Sequence, residues 1–182
     1  MKKTIIFSLI IACLALVACT EKTNTKADNN MENWKTLLEE KLPLLGHRNW
    51  IVVTDMAYPL QTNPGITTLM ASEKYEEVIA TVNDMISKAP HVFAHIYQDK
   101  EQERLSEALA PGWDSYKASL AGALDLDDVQ MMNHEDLIRK LDEAAELYQV
   151  VIIKTGMTIP YTSTFFELDC KYWDAQREAK IR

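Results

Sequence analysis

The sequence predicts an α/β fold with three layers, in which helices cover both faces of a mostly parallel β-sheet. Two observations lead to this prediction. Short apolar runs rich in β-branched residues alternate along the chain with longer segments of helical period. No internal repeat or low-complexity stretch breaks this alternation after residue 33.

The strands are predicted from short apolar runs that are bounded by polar residues, prolines or glycines. Where such a run leads into an amphipathic segment, a parallel crossover is the expected connection. The predicted strands are residues 50–53, 91–97, 129–132, 150–153 and 161–168.

The helices are predicted from apolar residues that recur on one face. Pro43 and Gly46 limit the first helix, and Asn133 is a plausible N-cap of the last. In the segment after the second strand, the spacing of Leu105, Ala108 and Leu109 indicates a buried helix face. The predicted helices are residues 33–45, 73–87, 100–110, 113–124 and 135–148, and residues 58–65 are predicted as a loop.

The first residues indicate export. Lys2 and Lys3 precede an apolar run that is too short for a comfortable membrane span, as in a secretory signal peptide. Cys19 directly follows Leu-Val-Ala, which resembles the lipobox of bacterial lipoproteins; an ordinary signal peptide with an incidental cysteine is the alternative. We therefore expect a signal at residues 1–18, a lipidated Cys19 with a flexible tether over residues 19–32, and one domain over residues 33–182.

Charge and composition exclude several classes of partner. Removing the signal leaves 17 basic and 27 acidic residues, a net charge of −10, which disfavours nucleic acid and anionic lipid surfaces. Cys170 is the one cysteine left in the domain and is predicted to be a small core residue. No glycine-rich phosphate loop, nucleophile elbow or metal-ligand spacing is present, so neither a cofactor nor a metal is predicted.

Polar residues at the ends of the predicted strands are the candidates for chemistry, because open α/β sheets bind ligands at one end of their strands. Each has a plain structural alternative. His47 could cap a helix–strand junction, Asp55 could cap a turn, and His134 could be exposed to solvent. The candidates are His47, Asp55, His134, Lys154, Thr155 and Tyr161.

In this order, these segments resemble the D-ribose pyranase and L-fucose mutarotase (RbsD/FucU) family over about residues 34–170. The family begins with a helix, Leu-Gly-His, a strand and Ala-Asp, and it ends with an apolar strand, Thr-Gly and Pro-Tyr. The corresponding segments here are Leu45-Gly46-His47, Ile51-Val52-Val53, Thr54-Asp55, Asn133-His134-Glu135-Asp136, Lys154-Thr155-Gly156 and Ile159-Pro160-Tyr161-Thr162-Ser163.

The resemblance implies an enzyme that interconverts anomers or ring forms of a free monosaccharide without a cofactor, as a homo-oligomeric ring. By position, His47 becomes the main acid–base group, and Asp55 orients it or binds a sugar hydroxyl. His134 and Tyr161 hold or protonate the sugar. Lys154, Thr155 and Ser163 bind the substrate.

Two departures keep a second function open. The glutamate that the family has after Thr-Gly is Met157 here, and its asparagine after Pro-Tyr-Ala is Ser163. The first expectation is an exported, membrane-anchored mutarotase. The alternatives are a non-catalytic monosaccharide-binding lipoprotein and a structural lipoprotein whose strand-end residues are incidental.

Overall fold

A six-stranded mixed sheet forms the centre of the computed structural model, which describes residues 34–182. The strands lie in the order β2-β5-β1-β6-β3-β4. Strand β6 runs antiparallel to both of its neighbours, whereas the other pairings are parallel. The strands are β1 (Trp50–Thr54), β2 (Ile66–Met70), β3 (Val92–Asp99), β4 (Val129–Met132), β5 (Val150–Lys154) and β6 (Thr164–Cys170).

Helices cover both faces of the sheet, so the predicted three-layer α/β architecture is confirmed. Short 3-10 turns follow the first helix and β3 and precede β4, at Leu42–Leu44, Lys100–Arg104 and Leu126–Asp128. The α-helices are α1 (Trp34–Lys41), α2 (Tyr75–Lys88), α3 (Trp113–Ala123), α4 (His134–Leu147) and α5 (Ala175–Glu178).

Two apolar cores lie on either side of the sheet, because alternate residues of a strand face opposite sides. Helices α1, α2 and α3 pack on one face against residues such as Val53 and Phe166. Helix α4 packs on the other face, where its inward residues meet Val52, Ile152 and Phe165. The face that carries α4 is the one on which the polar strand ends gather.

Strand β2 is absent from the prediction. Its residues, Ile66 to Met70, are only half-buried along their whole length, because β2 is an edge strand that pairs with β5 alone. A half-buried run with two central threonines carries neither the apolar content nor the alternation that identifies a strand. Its pairing partner lies more than eighty residues away, so local sequence could not reveal it.

The predicted helix at residues 100–110 is wrong beyond its first turn. The segment forms a 3-10 helix over Lys100–Arg104 and then turns. Leu109, predicted to be buried, is 73% exposed, whereas Ala110 is buried. The chain leaves the helical conformation at Leu105, which is extended with a ψ of 150°. The buried Gln102 side chain donates to Gln98 Oε1 at 3.1 Å, four residues earlier in β3.

The last strand begins later than predicted, at Thr164, and ends at Cys170. Tyr161 belongs to the preceding turn and has a positive φ of 60°. Cys170 is half-buried, which corrects its assignment to the core. Asn133 does occupy the N-cap of α4, but its side chain makes no capping hydrogen bond.

The predicted signal, Cys19 and tether lie outside the described residues. Among the helices of residues 34–182, none is long and apolar enough to span a bilayer.

Candidate functional site

The carboxyl ends of all five mutually parallel strands lie along the same side of the sheet, and we call this side the carboxyl edge. At this edge the strand register aligns the last residues of β5, β1 and β3 with the residue that directly precedes β6. Thr54 pairs with Lys154 in the parallel β1–β5 ladder. Thr164 pairs with Val53 on one side and with Gln98 on the other, so the residue before it, Ser163, lies between Thr54 and Asp99.

The result is a row of four polar residues across neighbouring strands, here called the polar row: Lys154, Thr54, Ser163 and Asp99. By alternation along the strands, the polar row faces the same side as Val52, Phe165 and Tyr97, whose side chains contact the core beneath α4. The polar row therefore borders an apolar floor, and the first turn of α4 stands beside it.

Asp99 and His134 form a hydrogen-bonded pair at one end of the polar row. The distance from His134 Nδ1 to Asp99 Oδ1 is 3.1 Å, and the Asp99 side chain is only 1% exposed. Glu101 holds the start of α4 in place by accepting the His134 backbone N–H at 3.0 Å. Burial raises the pKa of Asp99 to about 6; the interaction with His134 opposes the rise, and the charges of Glu101 and Asp55 add to it. A carboxyl group of this kind exchanges protons close to neutral pH.

Buried polar atoms at this edge have no hydrogen-bond partner among the described residues. They include Thr54 Oγ1, Tyr58 Oη and Asp99 Oδ2. Folded proteins satisfy nearly all buried polar groups, since leaving one unpaired costs about 1–3 kcal/mol. Two of the three atoms belong to the polar row, and together they are the features expected of a pocket that a polyhydroxylated ligand would complete.

The loop after β1 folds over the same edge. Asp55 Oδ1 accepts the backbone N–H groups of Ala57 and Tyr58 at 2.8 and 2.9 Å, so it does cap a turn. The Lys154 ammonium donates to the Tyr58 carbonyl oxygen. Burial and the charges of Asp142, Asp99 and Asp55 raise the pKa of Tyr58 to about 12. Asp55 directly follows Thr54 of the polar row, so its charge lies close to the row.

Tyr161 contacts His134 from the turn that precedes β6. The two rings meet edge to face with centroids 5.5 Å apart. Tyr161 is 39% exposed and has a φ of 60°, a left-handed conformation that non-glycine residues rarely adopt. Such backbone strain concentrates at ligand sites, where the surrounding structure maintains it.

Thr155 differs from the other predicted site residues, because its hydroxyl forms hydrogen bonds with backbone groups of Thr54 and Met157. Thr155 is fully buried, donates its hydroxyl to the Thr54 carbonyl at 2.9 Å and accepts the Met157 N–H at 3.2 Å. Met157 packs against the core on the opposite face of the sheet from α4. The departure at Met157 therefore leaves the polar row unchanged, whereas the departure at Ser163 lies within it.

His47 lies at the other edge of the sheet, where β1 begins and β6 ends, which we call the amino edge. His47 Nδ1 is 2.6 Å from Asp169 Oδ1, and His95 Nε2 is 3.4 Å from the other oxygen of that carboxylate. Arg48, with a φ of 72°, donates its Nε–H to His47 Nε2 and an Nη1–H to the Tyr148 hydroxyl. Burial raises the pKa of Asp169, but the Cys170 N–H and the two histidines outweigh it, so the net pKa is lowered.

Within one chain, the structure brings together most but not all of the predicted site. Asp55, His134, Lys154, Tyr161 and Ser163 gather at the carboxyl edge, with Thr155 beneath them. His47 is separated from this group by the length of β1, about 13 Å for four steps along a strand. The acidic partner of His47 is Asp169, not Asp55.

Comparisons with known proteins agree with this architecture. The model of the RbsD / FucU transport protein family matches residues 35–168. The chain belongs to the RbsD/FucU family. No match was found among curated proteins.

Two solved RbsD/FucU structures are similar to the chain in fold. Bacillus subtilis RbsD, solved with D-ribose, is 17% identical with a TM-score of 0.50, over 74% of this chain and 92% of that protein. The fucose mutarotase of Streptococcus pneumoniae, solved with L-fucose, is 18% identical with a TM-score of 0.50, over 76% of this chain and 95% of that protein.

Sequence reasoning about this family member missed Asp99, Thr54 and Tyr58. Asp99 ends a strand at the same edge as Asp55, and this could have identified it, but the predicted strand stopped two residues short at position 97. Across residues 34–182, no group of three or more histidine, cysteine or acidic side chains is arranged to hold a metal ion.

Proposed function

We propose that this RbsD/FucU family member binds a free monosaccharide at the carboxyl edge and catalyses its mutarotation. The observation that carries the proposal is the polar row with its unpartnered buried atoms, next to the Asp99–His134 pair. A sugar hydroxyl both donates and accepts hydrogen bonds, so it suits Thr54 Oγ1 and Asp99 Oδ2 alike. D-ribose and L-fucose, which are bound in the two similar structures, are the first sugars to test.

Mutarotation requires two proton transfers and one reversible bond cleavage. A base takes the proton of the anomeric hydroxyl, the bond between the anomeric carbon and the ring oxygen breaks, and the ring oxygen receives a proton. Rotation about the adjoining carbon–carbon bond and closure in the reverse order give the other anomer. Asp99 and His134 share a hydrogen bond. One of them would accept the proton of the anomeric hydroxyl while the other donates a proton to the ring oxygen. General acid–base catalysis of this kind typically accelerates a reaction by about a hundredfold or more.

His47 enters this scheme through a second copy of the chain. A cyclic homo-oligomer with head-to-tail contacts places one edge of a subunit against a different edge of its neighbour. In such a ring, the amino edge of one subunit supplies His47, held by Asp169, to the carboxyl edge of the next. The oligomer is therefore part of the proposal, because the chain alone keeps the two groups apart.

The location is proposed from the first residues alone. Lys2, Lys3 and the apolar run before Cys19 support export, and a lipidated Cys19 would anchor the domain to a membrane. The enzyme would then equilibrate sugars outside the cytoplasm. Mass spectrometry of Cys19 in a bacterial membrane fraction tests this part independently of activity.

The decisive experiment measures the exchange between anomers by NMR saturation transfer, with D-ribose and L-fucose as substrates. We expect acceleration over buffer with the wild-type protein and at least a hundredfold loss with Asp99→Asn. The matched control is Asp128→Asn, which removes an exposed carboxylate before β4 and should leave the rate unchanged. Wild-type rates equal to buffer for every sugar would refute catalysis.

Sugar binding without turnover is the second candidate, and Ser163 favours it. This residue replaces the family's asparagine inside the polar row and offers a hydroxyl where an amide stood. Thermal stabilisation by a sugar, with no acceleration of anomer exchange, would establish the binding protein. A Ser163→Asn variant that then gained activity would identify this position as the cause.

A further inference from the structure

Carboxylates outnumber cations around the polar row. Asp99 lies in it, and Asp55, Glu101 and Asp142 are close enough to act on Asp99 or Tyr58 electrostatically. The one lysine of the polar row, Lys154, is three strands away from Asp99, about 14 Å at the usual strand spacing. Its ammonium is already engaged by the Tyr58 carbonyl. The end of the polar row at Asp99 is therefore the negative end.

The unpartnered oxygen lies at this negative end. Asp99 Oδ1 is bonded to His134, but Asp99 Oδ2 is buried and lacks a donor among the described residues. A carboxylate accepts hydrogen bonds through both of its oxygens, and hydrogen bonds that involve charged groups are roughly twice as strong as neutral ones. Asp99 Oδ2 is thus placed to receive a donor from a bound ligand, preferably a donor with a positive charge.

The neighbouring carboxylates cannot provide that donor, because an ionised carboxylate accepts hydrogen bonds but donates none. Glu101 already accepts the backbone N–H of His134, and Asp55 already accepts the backbone N–H groups of Ala57 and Tyr58. Their negative charges remain after these hydrogen bonds form. A ligand with a phosphate or carboxylate would bring further negative charge into a partly buried site, where like charges repel more strongly than in water. An ammonium group would be attracted to the same place.

We infer that the carboxyl edge is selective for sugars that carry a free amino group, whose ammonium would donate to Asp99 Oδ2 among the surrounding carboxylates. This inference rests on the proposed sugar site and specifies its ligand class. Neutral sugars bind in the same place through a hydroxyl, more weakly, and sugar phosphates and uronates are excluded.

The test is isothermal titration calorimetry at pH 7 with pairs of sugars that differ in one group. D-glucosamine is compared with D-glucose, and D-galactosamine with D-galactose. N-acetylglucosamine removes the charge but keeps the nitrogen, and glucose 6-phosphate and glucuronate supply the anions. We expect at least one amino sugar to bind about tenfold more tightly than its parent, the value of one charge-assisted hydrogen bond, and the anions not to bind.

Variants assign the preference to its residues. Asp99→Asn should abolish the preference for the amino sugar, and Glu101→Gln, which keeps the acceptor for the His134 N–H, should reduce it. Asp128→Asn should keep it in full. Thermal unfolding of each variant shows that it is folded, and Glu101→Gln provides the answer if Asp99→Asn does not fold. Equal or weaker binding of every amino sugar, or a preference that survives in both variants, would overturn the inference.

Binding and turnover separate this inference from the proposed function. Acceleration of anomer exchange without any preference for amino sugars would overturn the selectivity and leave the mutarotase proposal intact. A tenfold preference for an amino sugar in calorimetry, without accelerated anomer exchange of any sugar, would support the selectivity and refute the mutarotase proposal.

Discussion

The two edges of the sheet carry similar residue types in opposite states. At the amino edge, His47 and Asp169 are partly exposed, and each ring nitrogen of His47 has a partner in Asp169 or Arg48. At the carboxyl edge, Asp99 is fully buried and one of its oxygens has no hydrogen-bond partner within residues 34–182. Each edge also holds one non-glycine residue with a positive φ, Arg48 at one and Tyr161 at the other.

The polar groups of the amino edge therefore have satisfied hydrogen bonds, whereas buried polar atoms of the carboxyl edge do not, among the residues that the structure describes. Hydrogen bonds between partly exposed groups cost little to form or break, because water can replace either partner. Buried groups without partners cost free energy in the folded state, and they persist where a ligand supplies what is missing. This difference supports the proposal that the sugar binds at the carboxyl edge and that the amino edge presents His47 to a neighbouring subunit.

The largest effect is expected in a complementation experiment with variants of His47 and His134. Separately, His47→Ala and His134→Ala should each lose at least a hundredfold in anomer exchange. Co-expressed at equal levels, they should form mixed rings in which about a quarter of the sites combine an intact His47 with an intact His134 from the next subunit. NMR exchange rates of the purified mixture measure this. If the mixture shows no recovery of anomer exchange, then both histidines act within one chain, or one of them does not belong to the site.

The second prediction concerns pH and the burial of Asp99. In the unfolded chain this carboxyl titrates near its ordinary value of 3.8, whereas in the folded chain its pKa is about 6. The folded state thus binds more protons between these values, so the free energy of unfolding falls as pH rises through the window, by on the order of 2–3 kcal/mol. Urea unfolding from pH 4 to pH 7 should show this fall in the wild type and a flatter profile in Asp99→Asn. Identical profiles would contradict the raised pKa.

A third prediction compares two buried threonines on opposite faces of the sheet. Thr54→Val removes an unpartnered hydroxyl and should stabilise the fold by about 1 kcal/mol while weakening sugar binding. Thr164→Val is the matched control. Its hydroxyl accepts from Gln98 at 2.9 Å and contacts the Tyr75 hydroxyl at 3.0 Å, so its loss should destabilise by about 1–3 kcal/mol. Chemical denaturation and calorimetry measure both effects, and a destabilised Thr54→Val would mean that its hydroxyl is satisfied.

The smallest effect is expected at the amino edge. Asp169 has a lowered pKa in the folded state, so its contribution to stability is present above the ordinary pKa of 3.8 and is lost as pH falls through the folded value. Because the pair with His47 is partly exposed, Asp169→Asn should cost less than about 1 kcal/mol at pH 7. Anomer exchange should nevertheless decrease, since His47 loses its charged partner. A larger loss of stability would show that the amino edge is structural.

Local pattern identified most of the elements and part of the site. Strand β1 is a short continuous apolar run and helix α4 has a clear helical period, and the segments around His47, His134 and Tyr161 carried the family resemblance. The prediction of a helix over residues 100–110 was wrong because the chain becomes extended at Leu105, although the spacing of Leu105, Ala108 and Leu109 matches a helical period. Asp99 was missed because the length of β3 depends on its pairing with β6 and β4, not on its own residues.

The sequence by itself determined the α/β class, the order of its strongest elements and the family, because these follow from local periodicity and from residue types at strand ends. Only the tertiary structure decided which polar residues meet. The antiparallel insertion of β6 between β1 and β3 places Ser163 between Thr54 and Asp99, while it carries Asp169 to the opposite edge beside His47. Strand order and register result from the packing of distant segments, and no local pattern specifies them.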